Sequence, residues 1–219
     1  MSTPRHEQTH QPSLHDQWAR EAETLGIPEQ QLGAMERFLA EMQAHHEGTY
    51  EHSMRVGMLA PKIGALVPEL EGLSPRTLFY AGTMHDAGKL KTPQHLLSKT
   101  TEWTDEDAEA LKAHPEHSHE ALMEAGMSLT AGAVVLHHTF QPDPYPAEIP
   151  DPDPDLPEHL LELQPVLGRV LALADFYDAS HRKDSDGNLT PEEIRAKVYA
   201  SNPDLTDLLD ELYGRGIFS

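Results

Sequence analysis

The sequence pairs a histidine with an aspartate at His85-Asp86, inside the stretch FYAGTMHDAGKL, and sets more residues of the same two types on separate segments around it. His52 lies upstream, and His114, His137, His138 and Asp175 lie downstream. Neutral imidazole and ionised carboxylate together are the donors that a pair of first-row transition metals asks of a protein. Each candidate also falls on the apolar side of its segment, where a polar group without a partner is costly. A lone buried histidine is more often a hydrogen-bonded core residue than a ligand. Five histidines and two aspartates on several apolar faces point instead to a metal-dependent hydrolase.

Helices must position these groups. Leu14 to about Leu25 reads as a short helix stopped by Gly26 and the Ile27-Pro28 break, and Leu32, Met35, Phe38, Leu39 and Met42 then recur at three- and four-residue steps. In a helix from about Thr49 to Val67, His52 shares a face with Val56, Leu59 and Ile63, so it points where the core does. Ser74-Pro75 predicts a helix start that runs to His85-Asp86, with Gly88 as the stop. Thr104 with Asp107 caps a further helix, which Pro115 should kink or restart before Gly126. An apolar helix over 128–138 ends in His137-His138; neighbours on a helix project about 100° apart, so both can serve one site only near a helix end. The run QPDPYPAEIPDPDPDLPE is too rich in proline to be helical, and a loop of that length is usually functional or disordered. A long helix over 157–181 places Leu167, Leu171, Ala174 and Asp175 on one face, and two shorter helices, near 191–200 and 203–213, close the chain. No strand pattern or internal repeat emerges. The class is all-α, with residues 1–27 as a polar, partly helical extension and 28–219 as the catalytic domain.

With 219 residues the chain can bury one sizeable helical core. Its 37 acidic and 16 basic residues give a formal net charge of −21, which opposes binding to long nucleic acid or to an anionic membrane. A small anionic substrate remains compatible, because bound divalent ions set the field inside a metal site. There is no cysteine, hence no disulfide, no thiolate zinc site and no cysteine nucleophile. No apolar run approaches the roughly 20 residues of a membrane span, and the first residues carry no signal-peptide stretch. Cytoplasm is the default location.

The motifs resemble the superfamily named for its HD signature, a helical fold of metal-dependent phosphohydrolases. His52 to Val56 is similar to its H-x-x-R-V segment, HDAGK (85–89) to its central H-D-x-G-K, and Ala174 to Ala179 to its later A-D-x-x-D-A. The segment TPQHLLSKTTEWTDEDAEALKAHP and the His137-His138 pair resemble the HD-GYP subgroup, whose members hydrolyse cyclic di-GMP. The resemblance covers about residues 45–195. It implies that His52, His85, Asp86 and Asp175 bind one divalent metal, and that Asp86 bridges to a second held by His114, His137 and His138. Iron or manganese come first, with zinc, nickel or cobalt also compatible. A hydroxide bridging the two metals would attack phosphorus, with Asp86 and Lys89 in the catalytic set and Lys89 on a phosphate oxygen. The substrate implied is a small nucleotide-like anion, cyclic di-GMP or a related cyclic dinucleotide leading.

The chain departs from the subgroup after its paired histidines. Where H-H-E-x-x-D-G-x-G-Y-P is expected, it reads HHTFQPDPYP: Thr139 replaces glutamate, Asp143 lacks its glycine, and only Tyr145-Pro146 survive. Tyr145 either stacks on a substrate base or packs against prolines. Arg182 resembles that family's substrate-binding arginine after D-x-x-D-A, although its spacing is two residues short. Gly48 stands where some members place an acidic ligand for a third metal, so two metals are expected. Arg55 reads as a structural ion-pair partner, and His117 competes with His114 one turn along. Asp184 to Glu193 imitates part of a calcium loop but has a cation, Arg182, at its first position; a turn and a capped helix account for it better. Two other readings stay open: a di-iron oxygenase of the same superfamily, and a non-catalytic domain that binds a nucleotide or partner.

Overall fold

The structure is a computed structural model that describes residues 11–181 and 189–219. Among these there are helices and turns and no strand, which bears out the all-α class. Twelve α-helices are described: α1 (Leu14–Leu25), α2 (Glu29–His45), α3 (Glu47–Gly64), α4 (Pro75–Met84), α5 (Gln94–Leu97), α6 (Asp105–Lys112), α7 (His114–Glu124), α8 (Ser128–Val135), α9 (Glu158–Leu161), α10 (Gln164–Ser180), α11 (Pro191–Ser201) and α12 (Thr206–Gly214). No helix described is long and apolar enough to cross a membrane.

The frame of the site is the crossing of α3 and α4, where small residues let two backbones touch. A Cβ at Gly82 would come within 2.8 Å of the Val56 carbonyl, and one at Gly57 within 2.2 Å of Thr83 Oγ1. Thr83 Oγ1 in turn accepts a hydrogen bond of 3.1 Å from Trp18 Nε1 on α1. Trp18 is fully buried and stacks on Phe79 at 5.6 Å, so α1 is part of the same core as α3 and α4.

The turn after α4 is equally constrained. Residues Ala87–Lys91 form a 3-10 turn, and the Gly88 amide donates to Ser118 Oγ at 2.8 Å. A Cβ on Gly88 would sit 2.1 Å from the His114 carbonyl oxygen, so α7 lies directly on the His85-Asp86 turn. Glycine at this position is required by contact, and its expected role as a helix stop is secondary.

One expected alternative is decided and two expected elements differ in detail. Pro115 restarts the helix, one of its two expected effects: α6 ends at Lys112, and α7 begins at His114 with the proline in its first turn, where a missing N–H costs nothing. The helix expected over 128–138 stops at Val135, leaving His137 and His138 in a turn. The segment 157–181 breaks at Glu162-Leu163 into α9 and α10, with Pro165 in the first turn of α10. Residues 136–157 contain no helix, as the prolines require. This segment is tied down by Lys112 Nζ on Asp143 Oδ2 at 2.7 Å and by Ser128 on Asp153.

Candidate metal centre

Five segments deliver the seven candidate ligands to one place. His52 comes from the middle of α3, His85 and Asp86 from the turn after α4, His114 from the first residue of α7, His137 and His138 from the turn after α8, and Asp175 from α10. His52, His85, Asp86, His114 and His137 are essentially excluded from solvent. Two groups result, each with its donor atoms within 4.8 Å of one another: His52, His85 and Asp86, and His114, His137 and His138. Asp175 joins the first through Oδ1, 3.0 Å from His52 Nε2 and 4.0 Å from His85 Nε2. Asp86 links the two, with Oδ2 3.5 Å from His85 Nε2 and Oδ1 3.3 Å from His114 Nε2.

Backbone carbonyls set the tautomers. His85 Nδ1 lies 2.7 Å from the Gly82 carbonyl, His114 Nδ1 2.7 Å from that of Leu111, and His137 Nδ1 2.5 Å from that of Val134. A carbonyl only accepts, so each Nδ1 carries the proton and each Nε2 presents a lone pair inward. His114 Nε2 therefore meets His137 Nε2 at 3.4 Å and Asp86 Oδ1 at 3.3 Å with no proton between them. His85 Nε2 and Asp86 Oδ1 are buried and make no hydrogen bond. Lone pairs that face one another across a buried gap repel unless a cation sits among them.

Protonating the rings is not a solution the environment favours. Burial pushes the His85 imidazole down to about 4, and burial with the neighbouring His137 pushes His138 down to about 2. Burial and the Lys89 ammonium hold His114 well below the ordinary histidine range. Burial opposes charge on Asp86 and Asp175 too, but the Lys89 ammonium beside Asp86 and the His52 ring beside Asp175 outweigh it. Both carboxyls stay ionised well below their usual range. Neutral imidazoles and charged carboxylates are the ligand forms of these groups.

The residues expected at the rim divide. Lys89 Nζ is 2.7 Å from Asp86 Oδ2 and lines a cavity of about 350 Å³ that opens onto the cluster. Tyr145 stacks on His138 with ring centroids 4.4 Å apart, so it packs on a candidate ligand. Arg182, and most of the calcium-loop-like segment, lie outside the described residues. His117 is absent from both donor groups, which leaves His114 as the α7 donor.

The sequence places Asp178 in the A-D-x-x-D-A segment but gives it no role. Its Oδ2 accepts from His52 Nδ1 at 2.7 Å, and Arg55 Nε reaches its Oδ1 at 2.7 Å. Arg55 is thus the ion-pair partner its position suggested. The usable signal was spacing: Asp178 follows Asp175 by three residues on a helix, so the two share a face. Nothing in the sequence marks the carbonyls of Gly82, Leu111 and Val134 as anchors.

The HD domain family model matches residues 49–180. A cyclic di-GMP phosphodiesterase of Vibrio cholerae serotype O1 is 31% identical over 111 residues, 47% of this chain and 20% of that protein. A cyclic di-GMP phosphodiesterase of Pseudomonas aeruginosa is 30% identical over 164 residues, 72% of this chain and 36% of that protein. The chain thus matches only about a fifth and about a third of the lengths of these curated relatives.

Proposed function

Because this chain belongs to the HD domain family, we propose that it is a two-metal phosphohydrolase that cleaves a phosphodiester of a small nucleotide-like anion. Cyclic di-GMP or a related cyclic dinucleotide is the leading substrate, since the relatives above carry that activity in their names. The observation that carries the reading is the inward-facing set of unprotonated donors around Asp86.

His52, His85, Asp86 and Asp175 would hold one divalent cation, and His114, His137 and His138 a second, with the two oxygens of Asp86 shared. Iron and manganese suit this all-nitrogen-and-oxygen set, and zinc, nickel and cobalt are compatible with it. When bound, such a pair supplies a hydrolytic nucleophile near neutral pH and neutralises charge on phosphate oxygens. The chain's own contribution is to orient and to exclude water. Carbonyls lock three imidazoles, Asp178 locks a fourth, and Tyr145 covers His138. Lys89, at the cavity wall beside Asp86, is the cation placed to receive a phosphate oxygen as negative charge develops.

Metal analysis of the purified protein, followed by hydrolysis of bis(4-nitrophenyl) phosphate and of cyclic di-GMP with and without dioxygen, tests the reading. The expected result is about two transition-metal ions per chain and turnover that needs no dioxygen. Replacement Asp86→Ala should remove both metal and activity. A variant that keeps full metal content and full activity would overturn the assignment, and turnover strictly dependent on dioxygen would replace it with an oxygenase.

A further inference from the structure

Beyond the donor cluster, the cavity runs along α10 past Asp175, Ala172 and Arg169. Six residues separate Asp175 from Arg169, about 9 Å of helix rise. At that far end the wall is aromatic and cationic rather than metal-binding. Phe140 lies in the chain segment just after the paired histidines, and it replaces nothing that metal chemistry needs.

Phe140 is held from behind. A Cβ built on Gly168 would lie 3.6 Å from Phe140 Cε2, so the ring rests on the α10 backbone where that helix has no side chain. The Arg169 guanidinium lies 5.3 Å from the ring centroid. Arg169 is itself fixed by Asp204 through Nε at 3.0 Å and Nη2 at 2.8 Å, and by Asn202 Oδ1 at 3.0 Å. Phe140 nevertheless remains 38% exposed, one of the few large apolar residues so open among the described residues. An aromatic ring braced by a rigid cation and left open in this cavity offers a flat surface to a second π-system.

Resting on the phosphohydrolase reading above, we infer that Phe140 is a specificity-determining residue: it forms the platform on which one nucleobase of the substrate stacks while the attached phosphate lies at the donor cluster. The cavity volume is near the lower end for small-molecule sites, which suits one base and its ribose rather than two. The chemistry implies preference for a nucleotide over a phosphate ester that lacks a base. Tolerance among bases is expected, because every base has a π-face.

The test is calorimetric titration of manganese-loaded protein with guanosine 5′-monophosphate and with ribose 5-phosphate, on wild type, Phe140→Ala and Phe140→Trp. Wild type should bind the nucleotide roughly tenfold or more tighter than the sugar phosphate. Phe140→Ala should bring that ratio close to one by weakening the nucleotide alone, and Phe140→Trp should retain it. Equal binding of the two ligands by wild type, or a ratio untouched in Phe140→Ala, overturns the platform and leaves the phosphohydrolase reading standing. Failure of both ligands to bind metal-loaded wild type removes both readings.

Discussion

His52 Nδ1 donates to Asp178 Oδ2 across 2.7 Å, between α3 and α10, residues 126 apart in the chain. The bond fixes the ring so that Nε2 turns toward Asp175 and Asp86, at 3.0 and 3.7 Å. Arg55 holds the carboxylate from its other side, through Nε on Oδ1 at 2.7 Å and Nη2 on Oδ2 at 3.2 Å. Burial opposes charge on Asp178, but His52 and Arg55 outweigh it and keep the carboxyl ionised below its usual range. An anionic acceptor behind an imidazole makes the opposite nitrogen a better metal donor.

Asp178→Asn should therefore leave the helices in place and weaken metal binding roughly 10- to 100-fold. Competition with a chromophoric chelator measures this directly. Unchanged affinity would show that the carboxylate serves α3–α10 packing alone.

Lys89 separates retention of metal from use of it. Its ammonium touches Asp86 but belongs to neither donor group. Lys89→Ala should keep the metal stoichiometry of wild type and lower kcat by roughly 100-fold, the scale of losing one charge stabiliser in a closed site. Loss of metal in parallel with activity would place Lys89 among the groups that organise Asp86 instead.

Trp18 tests whether α1 is structural. Its ring is fully buried, and its indole N–H is used on Thr83 Oγ1, next to the α4 turn that ends in His85. Trp18→Ala should cost about 3–5 kcal/mol in urea unfolding. A loss under about 1 kcal/mol would make α1 an appendage.

Acid should unfold the metal-free protein earlier than its carboxylates alone would require. The unfolded His85 binds its proton near 6.5, whereas burial lowers the folded value to about 4. The unfolded chain then binds more protons between these values, so stability is present above pH 6.5 and is lost as pH falls toward 4. For His85 by itself the loss is roughly 3 kcal/mol. His114 and His138 shift in the same direction, and Asp86 and Asp175 add a further loss below the ordinary carboxylate range. Urea midpoints at pH 7 and pH 5 check the sign: a higher midpoint at pH 5 would contradict a cluster of buried neutral imidazoles.

Much of this was legible in the residues. Periodicity placed His52 with Val56 and Ile63 on a buried face, Thr104 and Asp107 announced a capping box that is present, and prolines ruled out helix between 141 and 157. These are local rules, decided within a turn or two of chain. The helix end near His137 was anticipated in kind but not in position, because no stop residue follows Val135, where α8 ends. Motif order likewise suggested which histidines belong together.

What the sequence by itself determined is the set of candidate donors, their residue types and the helical faces that carry them, because each depends on neighbours in the chain. Only the tertiary structure decided that Asp86 stands between two groups, that Asp178 backs His52, and that the carbonyls of Gly82, Leu111 and Val134 fix three tautomers. Those facts depend on the crossing of α3 with α4 and on α7 resting against Gly88. Such contacts join segments far apart in the chain, and side-chain volume at the crossing sets their distance, which no local rule encodes.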